Sequence, residues 1–224
     1  METTSDEIKI LDFWISPFCM RVKIALEEKG ITEYECLQED PYVHKTVLLR
    51  EMNPVHNRLP VLIHNGKPIC ESLIIVEYID EVWKDNSSML LPVDPFLKSR
   101  ARFLAHFIDT KLMSVGMKLS RAKGEAEIAK KEFIECLKLL EAELGDKPYF
   151  GGNNFGYLDI ALIPDYSWFY TYETCAQFSI QAECPELIAW ANRCMQRPSV
   201  QRSLPNPVQV YNYVLERNRN LGLA

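Results

Sequence analysis

Apolar positions change rhythm near residue 94. Before it, short runs of strand-like character are interleaved with stretches of helical spacing; after it, the spacing is helical throughout. Residues 8–14 are rich in strand formers. Ser16-Pro17 then supplies an N-cap and a first-turn proline for a helix that Lys29-Gly30 closes with a cation and a C′ glycine. Residues 33–37 alternate as a second strand, and 42–52 predict a short helix. Residues 60–64 and 67–70 flank Asn65-Gly66, the pair favoured in a two-residue type I′ turn, and so predict an antiparallel hairpin. Ser72 is expected to cap a helix whose Ile75, Ile79, Val82 and Trp83 make one apolar face. The order over residues 1–83 is therefore β-α-β-α-β-β-α.

Residues 84–94 carry Asp, Asn, Ser and Pro and read as a surface linker. Asp94-Pro95 opens a second domain over 95–224, all-helical, which makes the class α+β. Two long amphipathic helices, 95–121 and 125–144, the latter stopped at Gly145, predict an antiparallel pair. Phe155-Gly156-Tyr157-Leu158-Asp159-Ile160 sets an acid at N3 and apolar residues at N′ and N4, a hydrophobic-staple arrangement that should start another buried helix. A helix over 185–195 follows, and the tail from Asn206 is expected to form a last one.

The 224 residues and 47% apolar composition suit a chain with a substantial core and no long disorder. A net charge of −6 without basic runs argues against nucleic acid and anionic membrane as partners. Seven scattered cysteines, with no C-x-x-C pair, give neither a disulfide framework nor a zinc site and fit a reducing cytoplasm. Residues 1–7 are acidic and polar, unlike an export leader, and no apolar run approaches the ~18 residues of a membrane span. His44, His56, His64 and His106 lack metal-ligand spacing, so no metal is expected.

Several stretches, taken in order, carry a resemblance. Trp14-Ile15-Ser16-Pro17-Phe18, Asn53-Pro54-Val55-His56-Asn57-Arg58-Leu59-Pro60-Val61-Leu62, His64-Asn65-Gly66-Lys67-Pro68-Ile69-Cys70-Glu71-Ser72, Tyr78-Ile79-Asp80-Glu81 and Phe155-Gly156-Tyr157-Leu158-Asp159-Ile160-Ala161 resemble the glutathione transferases, the plant tau class in particular, over essentially the whole chain. The resemblance implies a thioredoxin-like glutathione-binding domain followed by a helical-bundle domain carrying a cleft for the second substrate. It implies glutathione as co-substrate, a hydrophobic electrophile, and a homodimer. Conjugation would then serve detoxification or stress metabolism, with peroxidase activity toward organic hydroperoxides as a companion.

By itself Ser16-Pro17 is a helix cap. Within these motifs Ser16 becomes the catalytic residue, because a hydroxyl at a helix start can donate to a thiolate while the helix end adds positive potential. A free thiol with a pKa of ~8.5 is only a few per cent ionised at neutral pH, and lowering it by ~2 units, for ~2.7 kcal/mol of differential stabilisation, makes thiolate the majority form. The resemblance further implies that Glu71 and Ser72 hold the γ-glutamyl end of glutathione and that Leu59, before a cis-proline, pairs its backbone with the cysteinyl part. Lys45 and Arg58 would meet the glycine carboxylate, with arginine standing where the class commonly has lysine. Cys19 reads as a small buried residue and Arg21 as structural. Phe18, Leu112, Gly116, Leu119, Trp168 and Tyr213 would line the electrophile pocket; the small or aliphatic residues among them suggest a roomier cleft, and Arg217 occupies a tail position that is usually apolar. Two alternatives remain at this level. One is a thiol transferase or dehydroascorbate reductase, against which serine rather than cysteine at position 16 speaks; the other is a non-catalytic carrier of apolar metabolites.

Overall fold

The computed structural model describes residues 6–42, 45–87, 89–121 and 126–222. Residues 1–5, His44, Ser88 of the expected linker, and Glu125, the expected start of the second long helix, lie outside the described residues. Two compact units, Met1–Leu90 and Leu91–Ala224, divide the chain at a point inside the segment read as a linker.

The first unit is built on one mixed sheet of β1 (Ile8–Asp12), β2 (Glu35–Gln38), β3 (Val61–His64) and β4 (Lys67–Cys70) in the order β2-β1-β3-β4. β1 runs parallel to β2 and antiparallel to β3, and β3 is antiparallel to β4. Asn65 and Gly66, with φ of 50° and 76°, supply the two left-handed residues that the hairpin turn requires. α1 (Pro17–Glu28), α2 (Val47–Met52) and α3 (Ser72–Val82) complete the predicted β-α-β-α-β-β-α order. Leu11, Val61 and Ile63 on one face of the sheet pack with Leu49 of α2. Strand alternation sends the fully buried Ile10 and Leu62 to the other face, and α1 packs against α3.

Three expectations need correction. α2 starts at Val47 rather than at 42: Asp40 Oδ1 accepts the Tyr42 N–H in a local turn, and the Thr46 hydroxyl caps the helix by accepting the Leu49 N–H. α3 is preceded by Glu71, with Ser72 already its first helical residue, and Val82 is 42% exposed rather than part of the buried face. Lys29 caps α1 as expected, yet its ammonium is buried and sits 2.7 Å from Asp80 of α3. Asp80 also accepts the Leu90 N–H at 2.8 Å, so one buried pair fixes the end of α1, the end of α3 and the close of the first unit.

The second unit is helical: α4 (Pro95–Phe107), α5 (Met113–Leu119), α6 (Ala126–Leu144), α7 (Tyr157–Leu162), α8 (Tyr166–Ala176), α9 (Ile180–Glu183), α10 (Pro185–Cys194), α11 (Pro198–Ser203) and α12 (Pro207–Asn220). Asp94 and Asn206 cap α4 and α12 through their side chains, each followed by proline in the first turn. The rod expected over 95–121 is continuous but widens into a π turn at Ile108–Leu112. At the start of α7, the buried Asp159 accepts the Gly156 N–H at 2.9 Å through Oδ2, and the Phe150 N–H at 3.0 Å and the Trp190 indole N–H at 2.8 Å through Oδ1. One carboxylate thereby ties α7 to the preceding loop and to α10.

Candidate active site

Strand register decides which loops meet. Leu11 pairs with Val61, Val61 with Cys70, and Asp12 with Gln38. The chain leaving β1 toward Ser16, the chain leaving β2 toward Lys45, the turn entering β3 at Leu59-Pro60, and the chain leaving β4 at Glu71 therefore all lie at one end of the sheet. This is the edge outside the carboxyl ends of parallel strands, where open α/β sheets bind ligands. The expected glutathione-site residues of the first unit are brought to one edge by topology alone.

Ser16 is the N-cap of α1. Its N–H donates to the Phe13 carbonyl at 2.8 Å, and its Oγ accepts the Cys19 N–H at 3.4 Å. Extended backbone at Ser16 and the Pro17 ring set the entry to the helix, and Ser16 is half-buried. Cys19, one turn on, is completely buried, and its Sγ accepts the Phe13 N–H at 3.4 Å. Burial, helped by the Asp12 charge, pushes the Cys19 thiol up to about 12, so it stays a neutral thiol at physiological pH.

Phe18 is half-buried, with the Arg21 guanidinium 5.1 Å from its ring centroid. Arg21 itself is fully buried and donates to the Ser72 hydroxyl at 3.2 Å, joining α1 to the start of α3. Glu71, exposed and preceding α3, has φ of 68° and ψ of 115°, a left-handed backbone that a side chain adopts at a cost. Leu59-Pro60 is cis, Leu59 packs on the core around Leu11 and Val61, and Arg58 is exposed. Asn53, which closes α2, was not singled out from sequence: its Nδ2 donates to the Arg58 carbonyl at 2.9 Å and its Oδ1 accepts the His56 N–H at 3.1 Å. An asparagine followed by proline at the end of the predicted helix was the available signal. Lys45 is exposed, with its carbonyl accepting from the Arg50 guanidinium at 2.8 Å.

In the second unit, Leu112, Leu119 and Trp168 are buried and Tyr213 half-buried. Gly116 leaves no spare room, contrary to expectation. A Cβ there would lie 2.8 Å from Cζ of Tyr172, whose ring fills the space and packs on Phe133 and Trp168. Tyr172 donates to Asp165 Oδ1 at 3.2 Å, and burial first, then Asp165, holds its phenol well above its ordinary range. Arg217 is buried on α12, donating to Asn218 Oδ1, and Asn218 donates to the Ser120 carbonyl at 2.7 Å. The small residue suggested spare room, and helical spacing could not show that an aromatic ring occupies the space beside it. Gly116→Ala should consequently lower the thermal midpoint: overpacking at roughly 1–3 kcal/mol exceeds the roughly 1 kcal/mol that alanine gains in a helix.

A thioredoxin-like sheet with this edge, followed by an all-helical unit, defines a glutathione S-transferase, and sequence comparison agrees. The family's N-terminal domain matches residues 6–81 and its C-terminal domain residues 103–198. The chain belongs to the glutathione S-transferase family and is an enzyme of its tau class. It is 58% identical over 220 residues to a probable glutathione S-transferase, parC, of Nicotiana tabacum, covering 98% of this chain and 99% of the relative. It is 53% identical over 220 residues to glutathione S-transferase U25 of Arabidopsis thaliana, covering 98% of each. A rice glutathione S-transferase solved in complex with glutathione superposes with a TM-score of 0.90 at 42% identity, over 96% of this chain and 97% of that one. The tau-class enzyme of mango gives 0.88 at 38% identity, over 94% and 98%. Among the described residues no helix is long and apolar enough to cross a membrane.

Proposed function

We propose that this enzyme conjugates glutathione to small hydrophobic electrophiles, with Ser16 stabilising the glutathione thiolate. The observation that carries the reading is the state of Ser16: its oxygen accepts from the first turn of α1, so its own proton can be given to a sulfur outside. The thiolate attacks an electrophilic carbon, the C–S bond forms, and the leaving group departs with its electron pair. With an organic hydroperoxide the thiolate takes the terminal oxygen and an alcohol leaves after protonation. A second glutathione then resolves the sulfenic acid to disulfide and water.

In this reading the domain over 1–83 binds glutathione and that over 95–224 the electrophile. Glu71 meets the substrate ammonium, and Ser72 with the α3 start meets its carboxylate. Leu59 pairs through its backbone, and Lys45 and Arg58 take the glycine carboxylate. In the second unit Tyr213, which keeps accessible surface, touches the electrophile, while Leu112, Leu119 and Trp168 back the helices that hold it; Gly116 serves to seat Tyr172. The strained backbone at Glu71 fits a residue kept for binding, so Glu71→Gly should raise unfolding free energy by up to about 1 kcal/mol and abolish glutathione affinity. Calorimetric titration and a melting curve on the same variant check both halves.

Phe96, Leu97 and Phe103 of α4 are 70%, 54% and 61% exposed, and an apolar helix face of this kind supports pairing into a homodimer. Seven unpaired cysteines fit a reducing cytoplasm. Turnover of glutathione with a chlorodinitrobenzene, and with an organic hydroperoxide, tests the proposal. Glutathione binding without turnover of either would instead favour the carrier.

A further inference from the structure

Between β2 and α2 lies a cluster that the reaction does not use directly. Glu39 is a carboxylate only 7% exposed, anchored by its own N–H donating to the Asp12 carbonyl at 2.8 Å. Both of its oxygens face Thr46: Oε1 accepts the Thr46 hydroxyl, and Oε2 accepts the Thr46 N–H at 3.4 Å. The same Thr46 hydroxyl accepts the Leu49 N–H at 3.1 Å. From the far side, the Arg50 guanidinium reaches back to the Lys45 carbonyl at 2.8 Å and the Thr46 carbonyl at 3.3 Å. The backbone of Lys45 and Thr46 is therefore gripped on its donor side by Glu39 and on its acceptor side by Arg50. A carboxylate is withdrawn from water to hold one residue next to Lys45, which is more than a six-residue helix needs as a cap.

We infer that Glu39 and Arg50 are positioning residues that aim Lys45 at the glycine carboxylate, and so set the preference for glutathione over its precursor γ-glutamylcysteine. This rests on the assignment of Lys45 made above. The dipeptide carries the same thiol and γ-glutamyl end but ends at the cysteinyl residue, so it lacks the group that Lys45 would meet. Loss of the grip then weakens glutathione and leaves the dipeptide unaffected. A general loosening of the unit weakens both.

The test measures KM and kcat for glutathione and for γ-glutamylcysteine with one electrophile, on wild type, Lys45→Ala, Glu39→Ala, Glu39→Gln and Arg50→Ala, with a melting curve for each. Glu39→Ala and Arg50→Ala should raise KM for glutathione about 5- to 10-fold with kcat within about twofold and the dipeptide constants unchanged. Glu39→Gln retains an acceptor for the Thr46 hydroxyl and should restore most of the glutathione affinity. If Lys45→Ala keeps the full preference for glutathione, the Lys45 assignment fails and this inference falls with it. If Lys45→Ala loses the preference while the Arg50 and Glu39 variants keep it, or raise both KM values alike, the inference alone is overturned. Should Glu39→Ala not fold, Glu39→Gln and the exposed Arg50→Ala decide the matter.

Discussion

Ser16→Ala should cost about 10- to 100-fold in kcat at neutral pH, the range expected for a lost hydrogen bond to a charged sulfur, while KM for glutathione changes little. The loss should shrink as pH rises toward the ordinary thiol range of ~8.5, because solvent then supplies the thiolate that the hydroxyl no longer stabilises. Alanine also removes the cap of α1, worth about 1 kcal/mol, and the two effects must be separated. Ser16→Asp separates them. Aspartate caps as well as serine, so its melting temperature should stay near wild type, but its charge opposes a thiolate and turnover should fall at least as far as in alanine. A variant with intact stability and no turnover assigns the effect to chemistry.

The largest effect on stability is expected at Asp159. Its carboxylate serves three buried donors, the N–H groups of Phe150 and Gly156 and the Trp190 indole. Asp159→Ala strands all three at roughly 1–3 kcal/mol each, a sum comparable with the ~5–15 kcal/mol by which a domain is stable. The variant should unfold at a far lower urea concentration, or fail to accumulate as folded protein. Burial raises the Asp159 carboxyl to about 6 against the lowering effect of those donors. An unfolded aspartate titrates near ~3.9, so between these values the folded chain holds more protons. The contribution is complete below ~4 and is lost as pH climbs through about 6, a fall of a few kcal/mol in unfolding free energy. Asp159→Asn keeps an acceptor for Phe150 and Trp190 but turns an amide donor toward Gly156. It should destabilise less than alanine and lose the pH dependence, which urea titrations across this window would show.

Local chemistry made much of the fold legible. Asn65-Gly66 marked the hairpin because two consecutive left-handed residues are affordable to few pairs, and Ser16-Pro17 and Asp94-Pro95 marked helix starts because cap and proline act within one turn. What stayed hidden depends on distant partners. Lys29 read as the cation that closes α1, and nothing near it in sequence announced the buried pair it makes with Asp80, 51 positions on. The π turn at Ile108–Leu112 has no proline or glycine to announce it. Gly116 was read as opening room in a cleft, yet the ring of Tyr172 that fills the space beside it comes from another helix. The edge proposed to bind glutathione was readable as a set of motifs, while its convergence required the register of β1, β2, β3 and β4. Asn53 escaped notice because its partners are backbone groups, and Glu39 because its partner, the hydroxyl and N–H of Thr46, lies seven positions on across a loop.

Whether Ser16 stabilises the glutathione thiolate is decided by the ultraviolet thiolate absorbance of bound glutathione, titrated against pH on wild type and Ser16→Ala. The wild-type thiol should titrate about 2 units below free thiol and return toward ~8.5 in the variant. A wild-type value equal to that of free glutathione, or the same lowered value in both proteins, would contradict that role.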